Sequence, residues 1–120
     1  MIIMYGISNC DTVKKARAWL TAQGLAHQFH DFKKAGVPAD RLAIWAKTVG
    51  WPALLNQQGT TWRKLDAAAQ AAANTDAGAM ALALGQPSVI KRPVVEWPTS
   101  DLRITVGFKP DQWAQWVPMG

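Results

Sequence analysis

Cys10 is the only cysteine of the 120-residue chain, and it is the residue whose type and setting most directly allow chemistry. It follows the short apolar run of residues 2–5 and the turn Gly6-Ile7-Ser8-Asn9. It precedes a segment that opens with Asp11 and carries Val13, Ala16, Arg17 and Leu20 at helical spacing. A thiol is a weak nucleophile and its thiolate a strong one. The ordinary thiol pKa of about 8.5 falls by roughly one to five units at a helix N-terminus or beside a cation. Unpaired backbone N–H groups at that point of a helix face outward and favour negative charge. Lys14, four residues on, shares the face of Cys10 if the helix has already begun. Most free cysteines are inert core filler. A polar turn beside a cation is a poor place for such filler, so Cys10 is expected to be a nucleophile.

A redox cycle at Cys10 needs an outside partner. The fourth position of a C-x-x-C motif is Val13 here, and no second thiol exists in the chain. Any mixed disulfide must be resolved by an external thiol such as glutathione or a partner's cysteine. A second constellation is Ile90-Lys91-Arg92-Pro93. A proline inside a strand cannot donate to the ladder. In a thioredoxin-like fold, a proline facing the active cysteine is typically cis and leaves adjacent backbone free to hold an extended substrate. Arg92 precedes it and carries a planar fork of donors suited to a thiolate or a substrate anion. Cys10 and Arg92 are therefore the expected catalytic pair, with Lys14 and Pro93 on the substrate side.

The elements that must position these residues are legible in outline. Residues 2–5 read as a buried strand, and a helix from Asp11 ends near Gly24, where a C-terminal cap belongs. Residues 26–32 alternate as a second strand, with Phe29 and Asp31 on one side and His30 and Phe32 on the other. Strand, helix and strand over about 30 residues form a βαβ unit, which crosses over right-handed. A helix from Pro38 presents Leu42, Trp45, Ala46 and Val49. Residues 51–59 read as irregular, and two short helices over 66–84 meet near Asn74. Residues 88–97 read as a strand containing Pro93, residues 98–101 as a turn and residues 102–106 as the returning strand of a hairpin. A last helix from Pro110 carries Trp113 and Trp116 on one face, expected to be core. The order β-α-β, helical insert, β-β-α is that of an α/β fold with a thioredoxin-like mixed sheet. The expected organisation is one domain over residues 1–120, with core parts at about 1–35 and 87–120 and a helical insertion at about 36–86.

Composition narrows the function classes. Net charge is +5 and the isoelectric point about 9.7, which favours anionic partners. The basic residues are scattered in pairs, with no arginine-rich run or zinc-finger spacing, so direct nucleic-acid binding is not expected. His27 and His30 fall on opposite strand faces and make no metal site with Cys10, and surface positions suit them better. No base and orienting partner for Cys-His protease chemistry can be named, and Gly6 and Gly59 belong to no phosphate loop. Residues 1–5 are too short for a signal peptide, and no run of roughly 20 apolar residues is present. A monomer in the reducing cytoplasm is the expected state.

The motif Tyr5-Gly6-Ile7-Ser8-Asn9-Cys10-Asp11-Thr12-Val13-Lys14-Lys15-Ala16 resembles the opening motif of the ArsC/Spx superfamily, and within it the YffB-like branch. So do residues 59–65 (Gly-Thr-Thr-Trp-Arg-Lys-Leu), residues 90–95 (Ile-Lys-Arg-Pro-Val-Val) and residues 106–110 (Val-Gly-Phe-Lys-Pro). The resemblance implies a thioredoxin-like core with a helical insertion. It implies a nucleophilic role for Cys10 and oxyanion contact for Arg92. The arsenate reductases of the superfamily hold their oxyanion with several arginines, whereas this chain has Lys14, Asn56 and Lys109 at the other matching positions. That keeps part of the charge and loses most of the bidentate forks. The YffB-like branch is associated with glutathione-dependent thiol reduction. The reading is thus a monothiol oxidoreductase with glutathione, or a glutaredoxin-like thiol, as co-substrate and with no bound cofactor or metal. Asn9 and Arg63 join Lys14 and Pro93 as expected substrate contacts. Two alternatives follow from the same resemblance. One is an Spx-like regulator that binds RNA polymerase, its redox switch removed by Val13. The other is a glutaredoxin-coupled arsenate reductase.

Overall fold

The computed structural model describes residues 1–98 and 103–115. Its centre is a four-stranded mixed sheet in the order β2-β1-β3-β4. β1 (Ile2–Gly6) runs parallel to β2 (His27–Asp31), and α1 (Asp11–Ala22) connects them. β3 (Val94–Trp97) is antiparallel to β1, and β4 (Arg103–Val106) is antiparallel to β3. The β-α-β and β-β-α halves and the helical insertion between them are those expected from the sequence. β1 is an internal strand with helices against both faces, which is why it reads as a continuous apolar run rather than an alternating one.

Register assigns the two faces. Ile2, Met4, Val95 and Trp97 pack with Val13, Ala16 and Leu20 of α1 and with Trp113 of α8 (Pro110–Ala114). Trp113 is fully buried and meets the rings of Trp97 and Phe108 edge-on, each at 5.0 Å between centroids. Core packing is therefore the role of Trp113, while Trp116, residues 99–101 of the expected turn and Leu102 of the expected returning strand lie outside the described residues. The opposite face carries Tyr5, Val94 and Ile104. The insertion covers it with Phe32 from α2 (Phe32–Ala35), Leu42 and Trp45 from α3 (Ala39–Val49), Leu54 from α4 (Trp51–Leu54) and Ala83 from α7 (Asp76–Gly85). α5 (Thr60–Arg63) and α6 (Ala67–Ala72) complete the insertion.

Several boundaries differ from the sequence reading, each for a local reason. β2 stops at Asp31, because its carboxylate accepts the Lys33 N–H at 2.9 Å and caps α2, so Phe32 enters a helix. Pro38 is the N-cap of α3 rather than its first residue. Residues 51–54 form a helical turn, with Pro52 in the first turn where its missing N–H costs nothing. The segment before β3 is a 3₁₀ turn (Pro87–Val89), then a single bridge from Ile90 to Leu55, then the bend at Arg92-Pro93. The strand begins only at Val94, so Pro93 precedes it rather than interrupting it. Gly24, just past α1, has φ +71°, which a residue with a Cβ rarely adopts.

Candidate active site

Cys10 is the N-cap residue of α1, with extended backbone at φ −139° and ψ 122°. An N-cap side chain normally accepts from the amides two and three residues on. Here those donors are Thr12 and Val13. The sulfur closes no capping hydrogen bond within ordinary distance limits, but it lies where both amides act on it. Burial is the largest single influence on the thiol and raises its pKa. The Val13 amide, the Arg92 guanidinium and the Thr12 amide together outweigh it, so the thiol sits below its ordinary 9.0. Cys10 is half-buried, packed against the α1–α8 side of the core and still open to solvent.

Arg92 reaches this point because the turn before it fixes its side chain. Nη1 donates to the Ser88 carbonyl at 2.8 Å and to the Ile90 carbonyl at 3.2 Å. Nε is buried and has no hydrogen-bond partner. A charged donor left unpaired in a buried setting is costly unless something accepts from it during function. The Arg92-Pro93 peptide is cis, as the fold predicted, and Pro93 is buried. Gly6 lets β1 come close to α1 beside this point. A Cβ there would stand 2.9 Å from Val13 Cγ2 and 3.9 Å from Arg92 Cβ.

The remaining predicted contacts divide. Asn9 is exposed in the turn beside Cys10. Lys14 is exposed on α1, and its backbone N–H bonds to the Cys10 carbonyl at 2.9 Å. Its ammonium is not among the main influences on the sulfur, a place that Arg92 takes instead. Arg63 lies on the insertion, where Nε and Nη2 both donate to the Gln58 carbonyl at 3.2 and 3.0 Å. The structure thus brings Arg92 to Cys10, with Asn9 and Pro93 their neighbours in the chain, and leaves the Arg63 guanidinium bound within its own loop. His27 and His30 are both partly exposed and donate to the carbonyls of Leu25 and Gly36. Among the described residues no group of three or more His, Cys, Asp or Glu side chains could hold a metal ion. Nor is any helix among them long and apolar enough to cross a membrane.

Sequence reasoning missed the polar cluster on the insertion side of the sheet. Glu96, in β3, is 5% exposed. It accepts from Tyr5 Oη at 3.1 Å, Trp45 Nε1 at 2.8 Å and Arg41 Nε at 2.8 Å, and it pairs with Arg41 Nη2. Burial first, and then the Glu96 charge, push Tyr5 up to about 12. The Glu96 bonds raise Arg41 above its usual value. The available signal was a lone acid between Val95 and Trp97, in a strand otherwise fully apolar.

Comparison with known proteins places this geometry. An uncharacterised protein of Haemophilus influenzae is 37% identical over 108 residues, 90% of this chain and 91% of that one. A solved structure named YffB protein is 47% identical and superposes with a TM-score of 0.86, covering 96% of this chain and 97% of that chain. An arsenate reductase (ArsC)-related protein from Brucella melitensis is 48% identical with a TM-score of 0.72, covering 96% and 92%. The ArsC family matches residues 5–116, from the strand that leads into the Cys10 turn through the bend at Arg92 and on past β4. Over that span, which is nearly all of its length, the chain belongs to the ArsC family.

Proposed function

We propose that the protein is a monothiol oxidoreductase that reduces mixed disulfides with glutathione. The observation that carries this reading is the pairing of a lowered Cys10 thiol with an Arg92 guanidinium that keeps one buried donor unused. Cys10 thiolate attacks the glutathione sulfur of a protein–glutathione disulfide. The Cys10–glutathione disulfide forms, the old S–S bond breaks, and the protein thiolate leaves. A second glutathione thiolate then attacks the sulfur of the bound glutathione, releasing glutathione disulfide and restoring the Cys10 thiolate. Net, one glutathione thiol is consumed: the protein–glutathione disulfide and glutathione give the protein thiol and glutathione disulfide. Arg92 stabilises the charge that shifts between the sulfurs. Asn9, Lys14 and Pro93 border the thiol as substrate contacts, with Arg63 a contact only if its loop turns toward the site.

The chain lacks a second cysteine, so it cannot resolve the adduct alone. Glutathione or a glutaredoxin-like thiol therefore completes the cycle, as expected in a reducing cytoplasm. The unused Nε of Arg92 also suits an oxyanion, which favours arsenate as the second substrate to try. The deciding experiment is glutathione-coupled turnover of a mixed disulfide beside arsenate, on wild type and Cys10→Ser. Disulfide turnover that vanishes in Cys10→Ser supports the proposal. Turnover of arsenate alone replaces it, and no turnover of either substrate rejects it.

A further inference from the structure

β4 is the outermost strand on the side of the sheet away from β2. Register fixes which of its backbone groups face outward. Gly107 N–H donates to the Pro93 carbonyl at 2.9 Å. In an antiparallel ladder, alternate residues bond to the partner and the residues between them point away. Counting back from Gly107, Thr105 and Arg103 address β3, while Ile104 and Val106 turn N–H and C=O to the free edge. Among the described residues no strand pairs with that edge.

A trough of about 480 Å³ lies beside it. All four residues of β4 line the trough, together with Val49 and Ala53 on one side and Lys109 and Gln112 on the other. Successive strand side chains point to opposite faces, so a space that touches all four runs along the backbone edge itself. The trough shares Ala53, Val106 and Lys109 with a second cleft of about 370 Å³, which adds Lys91 and the amides of Gln57 and Gln58. Every charged residue lining either space is basic: Arg103, Lys109 and Lys91. The lining charge is thus of one sign, with Lys91 and Lys109 both at the cleft. The Lys91 end lies toward the reactive thiol, because Val106 pairs with Val94 and Val94 with Tyr5, just before the Cys10 turn.

We propose that the outer edge of β4 docks an extended acidic peptide segment of a partner protein. The segment adds to the sheet through Ile104 and Val106 and lays an acidic side chain into the cleft between Lys91 and Lys109. Main-chain bonds of strand addition supply affinity, and the flanking spaces and their charge supply selection. Cys10 takes no part in docking, so the binding test is run on Cys10→Ser as well as wild type and reads separately from thiol chemistry.

The probe is a synthetic peptide of about ten residues alternating glutamate with valine, long enough to span a typical strand. Two analogues are N-methylated at every second residue, in the two alternate phases, and a third has lysine for glutamate. Binding is followed by calorimetry and by backbone amide shifts. The acidic peptide is expected to bind wild type and Cys10→Ser equally and to shift the Ile104 and Val106 amides. One methylation phase is expected to abolish binding while the other leaves it intact, since only one edge of the peptide faces β4. The lysine peptide, and a Lys91→Glu/Lys109→Glu protein, should each lose about tenfold or more in affinity. Both lysines are exposed, so that variant is expected to fold, and the peptide analogues read the same contact on the unaltered protein. Binding that ignores methylation phase, an equal response to the lysine peptide, or shifts that miss Ile104 and Val106 overturns the proposal. Self-association through β4 that excludes the peptide overturns it as well.

Discussion

At the scale of single residues the decisive pair is Cys10 and Arg92. Burial works against the thiolate, and the Val13 amide, Arg92 and the Thr12 amide work for it. Alkylation of Cys10 across pH is expected to show a midpoint below that of an ordinary free thiol, moving upward in Arg92→Ala. Lys14→Ala should move it less, because Arg92 is the main cation acting on the sulfur. A Lys14 effect as large as that of Arg92 would reverse the assignment. Turnover in Arg92→Ala is expected to fall about 100-fold, the usual loss when a charged donor to the reacting centre is removed. The sign of the linkage follows from the direction of the shift. A lowered folded pKa stabilises the fold above the ordinary thiol pKa, and that contribution is lost as pH falls through the folded value.

At the scale of elements, two contacts decide whether the site assembles. The first is the approach of β1 to α1 at Gly6. A Cβ there meets Val13 Cγ2 at 2.9 Å, and Val13 is a fully buried β-branched residue with little freedom to turn away. Gly6→Ala should cost about 1–3 kcal/mol of stability by overpacking, and by displacing α1 it should raise the Cys10 alkylation midpoint. Chemical denaturation and the alkylation profile check the two halves. The second contact ties α3 to the sheet through Glu96. Glu96→Ala leaves Tyr5, Trp45 and Arg41 without their acceptor. Breaking a buried ion pair from one side costs about 3–5 kcal/mol. The Arg41 side chain is 30% exposed and can return to water, which puts the expected loss near the lower figure. Glu96→Gln keeps an acceptor and should cost less. Equal stability of the two variants would show that the cluster does not hold the insertion down.

At the scale of the whole molecule, the Glu96 cluster is a polar tie between the insertion and the sheet inside an apolar interface, and Tyr5 reports on it. Tyr5 is the chain's only tyrosine, so ultraviolet titration of tyrosinate reads it directly. A midpoint of about 12 is expected rather than the ordinary 10.0. A raised folded pKa means that the stability Tyr5 contributes is whole below pH 10. It is lost as pH rises through 12. The stability advantage of wild type over Tyr5→Phe, about 1 kcal/mol for one net hydrogen bond, should therefore shrink across that range. A tyrosinate midpoint near 10 in the folded protein would place the phenol in water and dissolve the tie.

The amino-acid sequence determined the parts that local chemistry governs. The strand–turn–Cys10–helix order, the apolar faces of α1 and α3 and the break at Gly24 each follow from residues close together in the chain, where propensity and periodicity act directly. The resemblance in four motifs carried the family. Long-range contact was decided only by the tertiary structure. Glu96 has no role legible in the sequence, and β3 brings it within 2.8 Å of Trp45, 51 positions away in the chain. Lys14 and Arg92 both read as cations for the thiolate, and only the tertiary structure ranks Arg92 ahead of Lys14. The β4 edge and its basic trough exist only once α3, α4 and α8 have closed around it. Spacing along the chain fixes which side chains share a helix or a strand face. Which faces then meet depends on burying both sides of one sheet at once, a condition that no local window contains.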